Sequence, residues 1–142
     1  MIELPFAIDD EALFPFPAIA GSLASARNVV RGYLTAHHLA HMEMDLLIAV
    51  GEVMQNIIRY GFEGGDEKGR FAIGITVIDQ HILVTLKDNA PPSDPASWSS
   101  AERKPEEGGH GLALVHQIAE KAHFMALEDG NQAQLLFAVR AK

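Results

Sequence analysis

An α/β two-layer sandwich is the fold class this sequence predicts, with helices on one face of a mixed, mostly antiparallel sheet. Three observations predict it. Two long stretches carry apolar residues at helical spacing. Two later pairs of β-rich runs are each split by a short polar turn. The order along the chain is strand, two helices, two strands, long loop, helix, two strands, and helices covering one face of a sheet satisfy it. With 142 residues and no internal repeat, the chain reads as one domain, 1–142.

IELPFAI (2–8) reads as a short strand with Pro5 marking an edge position, and FPFP (14–17) as a turn. Ile19, Leu23, Ala26, Val30 and Leu34 recur at helical spacing and predict a helix over 19–40. A second helix is predicted over 43–60, where Leu46, Val50, Val53, Met54, Ile57 and Ile58 form a broad apolar arc and Gly61 marks the stop. GFEGGDEKGR is a turn. FAIGITVI (71–78) and HILVTLK (81–87) flank Asp79-Gln80 as a hairpin. A Pro-, Ser- and Gly-rich loop fills 88–110, longer than an ordinary connection, and loops of that length are often functional. A third helix is expected over 111–122. HFMALE (123–128) and AQLLFAV (133–139) close the chain as a strand pair around Asp129-Gly130-Asn131.

Composition narrows the function classes. Hydrophobic residues make up 48% and charged ones 21%, which is a globular balance. A net charge of -8 argues against a general electrostatic grip on nucleic acid or an anionic membrane. The absence of cysteine removes disulfides, thiol nucleophiles and Cys-based zinc sites. No apolar run reaches the length of a membrane span, and the start lacks a basic-then-apolar leader, so a cytoplasmic address is expected.

Three patches carry candidate chemistry. Glu52 and Asn56 stand four residues apart and so share a helix face. A carboxylate there can take a proton and an amide oxygen can ligate a hard cation, although a plain solvated face has the same composition. Asp88 follows an apolar run, where it can accept a hydrogen bond from a ligand amino group or simply cap the turn. Gly108, Gly109 and Gly111 precede a helix start, where free N–H groups and the dipole favour phosphate. The stretch has no GKS or GKT, so it is not a P-loop, and no βαβ unit surrounds it as a dinucleotide fingerprint requires.

E-x-x-x-N on a helix, D-N-A-P-P after a strand and G-G-x-G-L-x-L opening a helix together resemble the N-box, G1 box and G2 box of the GHKL (histidine-kinase-like) ATPase superfamily, in that order and over about 17–139. DLLIAVGEVMQNIIRYGF and DNAPPSDP look most like its anti-sigma-factor serine/threonine kinase branch. The resemblance implies a Bergerat-type ATP-binding fold with ATP and Mg²⁺ as cofactors. It gives Glu52 as general base, Asn56 as Mg²⁺ ligand and Asp88 as acceptor for the adenine amino group. Ala90 stands in the G1 box, while Gly109, His110, Gly111 and Leu112 would hold phosphates through their N–H groups. Residues 94–108 would be the ATP lid, from which Arg103 or Lys104 could meet phosphate charge. The implied partners are an anti-sigma-factor antagonist (a STAS-domain protein) and a sigma factor, with room for a homodimer. A nucleotide-sensing or partner-binding module of the same fold, without catalysis, is the alternative.

Two departures from the family pattern stand out. Ala90 occupies a position where the G1 box carries Gly, so a need for φ > 0 there would strain it. SWSSAERKPEE replaces part of a glycine-rich lid. Other residues carry less. His37 and His41 have metal spacing without an evident third ligand. Trp98 in the lid and Met42, Met44 and Met54 read more simply as packing residues.

Overall fold

The computed structural model describes residues 2–93 and 111–142. Among the described residues five strands form one sheet in the order β1-β2-β3-β5-β4, and every pairing is antiparallel rather than mixed. The strands are β1 (Phe14–Ala18), β2 (Asp66–Ile78), β3 (His81–Asp88), β4 (Lys121–Leu127) and β5 (Gly130–Ala138). The helices are α1 (Ser22–Ala36), α2 (Glu43–Asn56) and α3 (Gly111–Ile118). They cover one face of the sheet, so the predicted two-layer class holds.

Strand alternation decides what that face contains. Ile82, Val84 and Leu86 of β3 and Ala133, Leu135 and Phe137 of β5 bury against Ala26, Val30 and Leu34 of α1 and Leu46, Val50, Val53 and Met54 of α2. Leu112 and Val115 of α3 join the same core. Each fully buried Leu or Val contributes about 2 kcal/mol, so this face supplies most of the driving force.

The opposite face is covered by the N-terminal segment, and here expectation and structure part. Residues 2–8 form no strand. They cross the sheet, burying Ile2 against Leu83 and Leu136 with Leu4, Ile8 and Ile78 around them. The Gln134 side chain replaces the missing ladder: its Oε1 accepts from Phe6 N and its Nε2 donates to Phe6 O, each at 2.7 Å. FPFP, read as a turn, instead supplies most of β1. Only alternate residues of an antiparallel strand bond to a given neighbour, so Pro15 and Pro17 can leave their missing N–H on the open side of this edge strand.

Helix ends also shift. α1 stops at Ala36 rather than running to 40, because His38 takes a left-handed φ of 59°. His38 N then bonds to Thr35 O and Leu39 N to Leu34 O, the two bonds of a Schellman cap. α3 ends at Ile118 and not at 122. Glu120 N already bonds to Leu136 O, so pairing with β5 overrides the helix preference of the Ala-Glu-Lys-Ala run. The hairpin at Asp79-Gln80 is as predicted. Both residues have positive φ, 46° and 58°, as a two-residue turn matched to strand twist requires. In the second hairpin the turn is Glu128-Asp129, and Gly130 and Asn131 belong to β5.

Candidate functional site

Past Asn56 the second helix widens into a π-turn over Ile57–Gly61, with Phe62 N bonded five residues back to Ile57 O. Such turns often sit at functional sites. This one lets Asn56, Ile57, Tyr60 and Gly61 line one cavity of about 340 Å³. Asp88, Pro91, Pro92, Ser93, Glu63 and Asn131 complete its walls. Asp88 is carried there by β3. It falls on the same side of the strand as Leu86 and Val84, so it ends the core-facing row at the sheet's margin.

Asp88 is 9% exposed. Its Oδ1 accepts from Ala90 N and from Asn131 Nδ2, both at 3.0 Å. Both bonds fall on one oxygen, so among the described residues Oδ2 is the atom left for a guest. Burial pushes the Asp88 carboxyl above its ordinary 3.8, against the lowering pull of Asn131 and the Ala90 N–H. Asn56 is also buried, and among the described residues its Nδ2 has no hydrogen-bond partner. A buried amide nitrogen without a partner is costly, and at a cavity wall it points to a polar guest. The amide oxygen of the same side chain is a neutral ligand for a hard cation.

Asn56 and Asp88 are therefore brought together, as the sequence suggested. Glu52 sits one helical turn earlier and is half-buried. It lines a different groove, of about 270 Å³, with Arg27, Arg31, Leu47, Ile48, Gly51 and Gln55. Ala90 does not reach the cavity. It packs in the core at 1% exposure and lacks a positive φ, so the feared backbone strain is absent. Its methyl lies 3.2 Å from where a Cβ on Gly61 would stand. Gly61 is thus not a conformational stop but the space that admits Ala90; the positive angles fall later, at Glu63, Gly64 and Gly65. The Leu112 side chain is core, with α3 beginning at Gly111. Gly109, His110, Arg103, Lys104, Trp98 and the 94–108 lid lie outside the described residues.

Among the described residues no group of three His, Asp or Glu could hold a metal. His37 stacks on Tyr33 at 4.0 Å, and His41 Nε2 lies 2.7 Å from Arg140 O, so each has a structural occupation. No helix among the described residues is long and apolar enough to cross a membrane.

The sequence matches the profile of the histidine kinase-like ATPase domain over residues 16–137. The chain belongs to this family. No curated protein sequence matches it. Among solved structures, the histidine kinase domain of the Erythrobacter litoralis EL346 blue-light activated histidine kinase superposes with TM-score 0.55 at 12% identity, covering 87% of this chain and 62% of that one. The catalytic domain of histidine kinase ThkA, in a nucleotide-free form, gives TM-score 0.52 at 14% identity, covering 89% and 95%. Acinetobacter baumannii histidine kinase AdeS gives 0.54 at 9%, covering 91% and 69%. At such identities the likeness concerns the fold.

Membership in the histidine kinase-like ATPase family supports an ATP-binding, kinase-like function, generally with Mg²⁺. The cavity's lining is compatible with those guests: Asp88 offers an acceptor oxygen beyond the one its two donors occupy, and Asn56 stands on the same wall. Asn131 was missed by sequence reading. It looked like a turn residue, and only its register opposite Asp88 reveals it.

Proposed function

We propose that this chain is a cytoplasmic anti-sigma-factor kinase: it binds Mg-ATP, phosphorylates a serine of a small STAS-domain antagonist, and sequesters a sigma factor. The observation that carries the nucleotide part is the pairing of a buried carboxylate, one oxygen free, with a buried unpartnered amide in one cavity. Asp88 Oδ2 accepts the adenine amino group. Asn56 would hold Mg²⁺, which would neutralise phosphate charge. The N–H groups of Gly111 and Leu112, where α3 begins, cradle phosphate together with those the family resemblance assigns to Gly109 and His110. Glu52 takes the proton of the seryl hydroxyl as its oxygen bonds to the γ-phosphorus and the bond to the β–γ bridging oxygen breaks. The groove that Glu52 shares with Arg27 and Arg31 gives an acceptor its own approach. Positioning and charge neutralisation supply most of such a transfer.

Glu52→Ala tests the catalytic half. Phosphate transfer to the antagonist is expected to fall by about 100-fold or more, the usual worth of a general base, with ADP affinity nearly unchanged. Transfer that survives at the wild-type rate removes Glu52 from this role. A second reading, a nucleotide-sensing or partner-binding module without catalysis, draws on one observation: Glu52 opens into a groove apart from the Asn56–Asp88 cavity. A wild-type protein that binds ADP and ATP yet transfers nothing to any antagonist supports it.

Acid should weaken the binding. Oδ1 is already occupied by two donors, so a proton on Asp88 goes to Oδ2 and turns an acceptor into a donor. ADP affinity is therefore expected to drop as pH falls through a midpoint above 3.8, the direction in which burial moves Asp88. Below that midpoint the loss approaches tenfold per pH unit, as linkage to one proton requires. Calorimetric titration across the acid range, at pH values where the fold persists, checks it. A flat profile counts against Asp88 as the base acceptor.

A further inference from the structure

The segment leaving β3 has few bonds with which to fix itself. Asn89 N bonds to Arg70 O and Ala90 N to Asp88 Oδ1, while Pro91 and Pro92 have no N–H at all. Asn89 Oδ1 in turn accepts from Arg70 N at 2.8 Å, and several further bonds run to one buried side chain, Asn131, at 3% exposure. Its Nδ2 donates to Asp88 Oδ1 at 3.0 Å and also faces Pro91 O at 3.3 Å and Ala90 O at 3.5 Å. Its Oδ1 accepts from Ser93 N at 3.0 Å and lies 3.4 Å from Ser93 Oγ. One amide thus joins the carboxylate to the cavity wall formed by Pro91, Pro92 and Ser93.

Register explains why a single residue can do this. Asp88 pairs with Asn131 across β3 and β5, and both side chains stand on the helix-facing side at the sheet margin. Asp88 left alone could turn either oxygen, or both, toward a guest. Ala90 N already holds Oδ1 at 3.0 Å, and the Asn131 donor adds a second bond to the same oxygen that fixes the plane of the carboxylate, so one acceptor at one place faces the cavity. The stiff Pro91-Pro92 pair, anchored at Ser93, bounds the same space. A site presenting one fixed acceptor against a fixed wall rejects a base that offers a carbonyl there, because the buried acceptor would lose its partner.

We propose that Asn131 is the positioning residue that sets base selectivity, by holding Asp88 Oδ2 and the 91–93 wall in one geometry. The inference rests on the nucleotide reading given above. Asn131 acts through Asp88 and the wall. Among the described residues the other titratable groups lining the cavity are Tyr60 and Glu63, and Asp88 is the one it contacts.

Two variants and three readouts test it. Asn131→Ala is expected to reduce the preference for ADP over IDP, whose base has a carbonyl in place of the amino group, by about tenfold. It should also speed amide exchange at Ser93 by at least about tenfold, since that N–H loses its acceptor. Asn131→Asp keeps the shape and the acceptor for Ser93 but places a second carboxylate against Asp88. Two such groups share a proton, and the protonated one can restore the donor. ADP binding by this variant should therefore be near wild type in mild acid and weaken as pH rises, opposite in slope to the wild-type protein. A merely structural Asn131 would leave both slopes alike. Wild-type binding with unchanged selectivity in Asn131→Ala, or with parallel pH profiles in Asn131→Asp, overturns this inference alone. A wild-type protein that binds no adenine nucleotide overturns the kinase reading and this one together. Unchanged Ser93 exchange in Asn131→Ala overturns the pinned wall whichever nucleotide binds.

Discussion

Asp88→Asn is expected to weaken ADP binding by about 10–100-fold while leaving the melting temperature unchanged or higher. The two effects have one cause. Burial raises the Asp88 carboxyl above 3.8, so the folded state resists its charge. A carboxyl raised on folding contributes most below its unfolded value, and that contribution is lost as pH rises through the folded value. At neutral pH the fold therefore carries the cost of a buried charge. Asparagine removes that cost and keeps its oxygen for Ala90 N and Asn131 Nδ2, the two bonds that organise the loop. Its NH₂ then occupies the Oδ2 position and meets the adenine amino group donor to donor. IDP, with a carbonyl there, should lose less than ADP or gain. Calorimetry with both nucleotides and a thermal melt of each protein decide the matter. ADP affinity unchanged in the variant would mean that Asp88 is a structural cap and the base lies elsewhere.

The sequence showed much of this and stopped at identifiable places. Helical spacing found α1 and α2 because their apolar faces pack directly on the sheet, and Asp79-Gln80 found its hairpin because the turn is local. What escaped depends on partners far along the chain. FPFP looks like a turn by composition, yet it pairs with β2, since an edge strand tolerates proline on its open side. IELPFAI has strand composition, but its bonding partner is the side chain of Gln134, well over a hundred residues away. In the site, Asn56 and Asp88 could be named because each carries a functional group within a recognisable pattern. Asn131 could not, because its meaning lies in the register of β3 against β5, and no local pattern encodes that register. The Ala90 departure escapes local pattern for a related reason: the space that admits its methyl is at Gly61, on another element.

The same margin of the sheet yields the largest expected loss of stability. Gly130→Ala should destabilise the fold by about 3 kcal/mol, at the upper end of overpacking costs. For a chain of this size that lowers the melting temperature by on the order of 10 °C. A Cβ on Gly130 would stand 1.9 Å from Asp88 O and 3.2 Å from Asn89 Cα. Both obstacles are backbone, so no side chain can swing away to make room. Gly130 lacks a positive φ, so the cost is one of space and not of conformation. Relief requires the start of β5 to draw back from the end of β3, which breaks the Asp88–Asn131 pair and the wall it holds. Nucleotide affinity should therefore fall together with stability. Gly32→Ala is the control: a Cβ there meets nothing within 4 Å, and Gly32 lies on the exposed side of α1. Alanine should stabilise that helix by about 0.5–1 kcal/mol. One chemical change thus carries opposite signs at two glycines. Equal melting temperatures for Gly130→Ala and wild type would mean that β5 can leave β3 at this end without cost, and the Asp88–Asn131 register could then no longer be what organises the site.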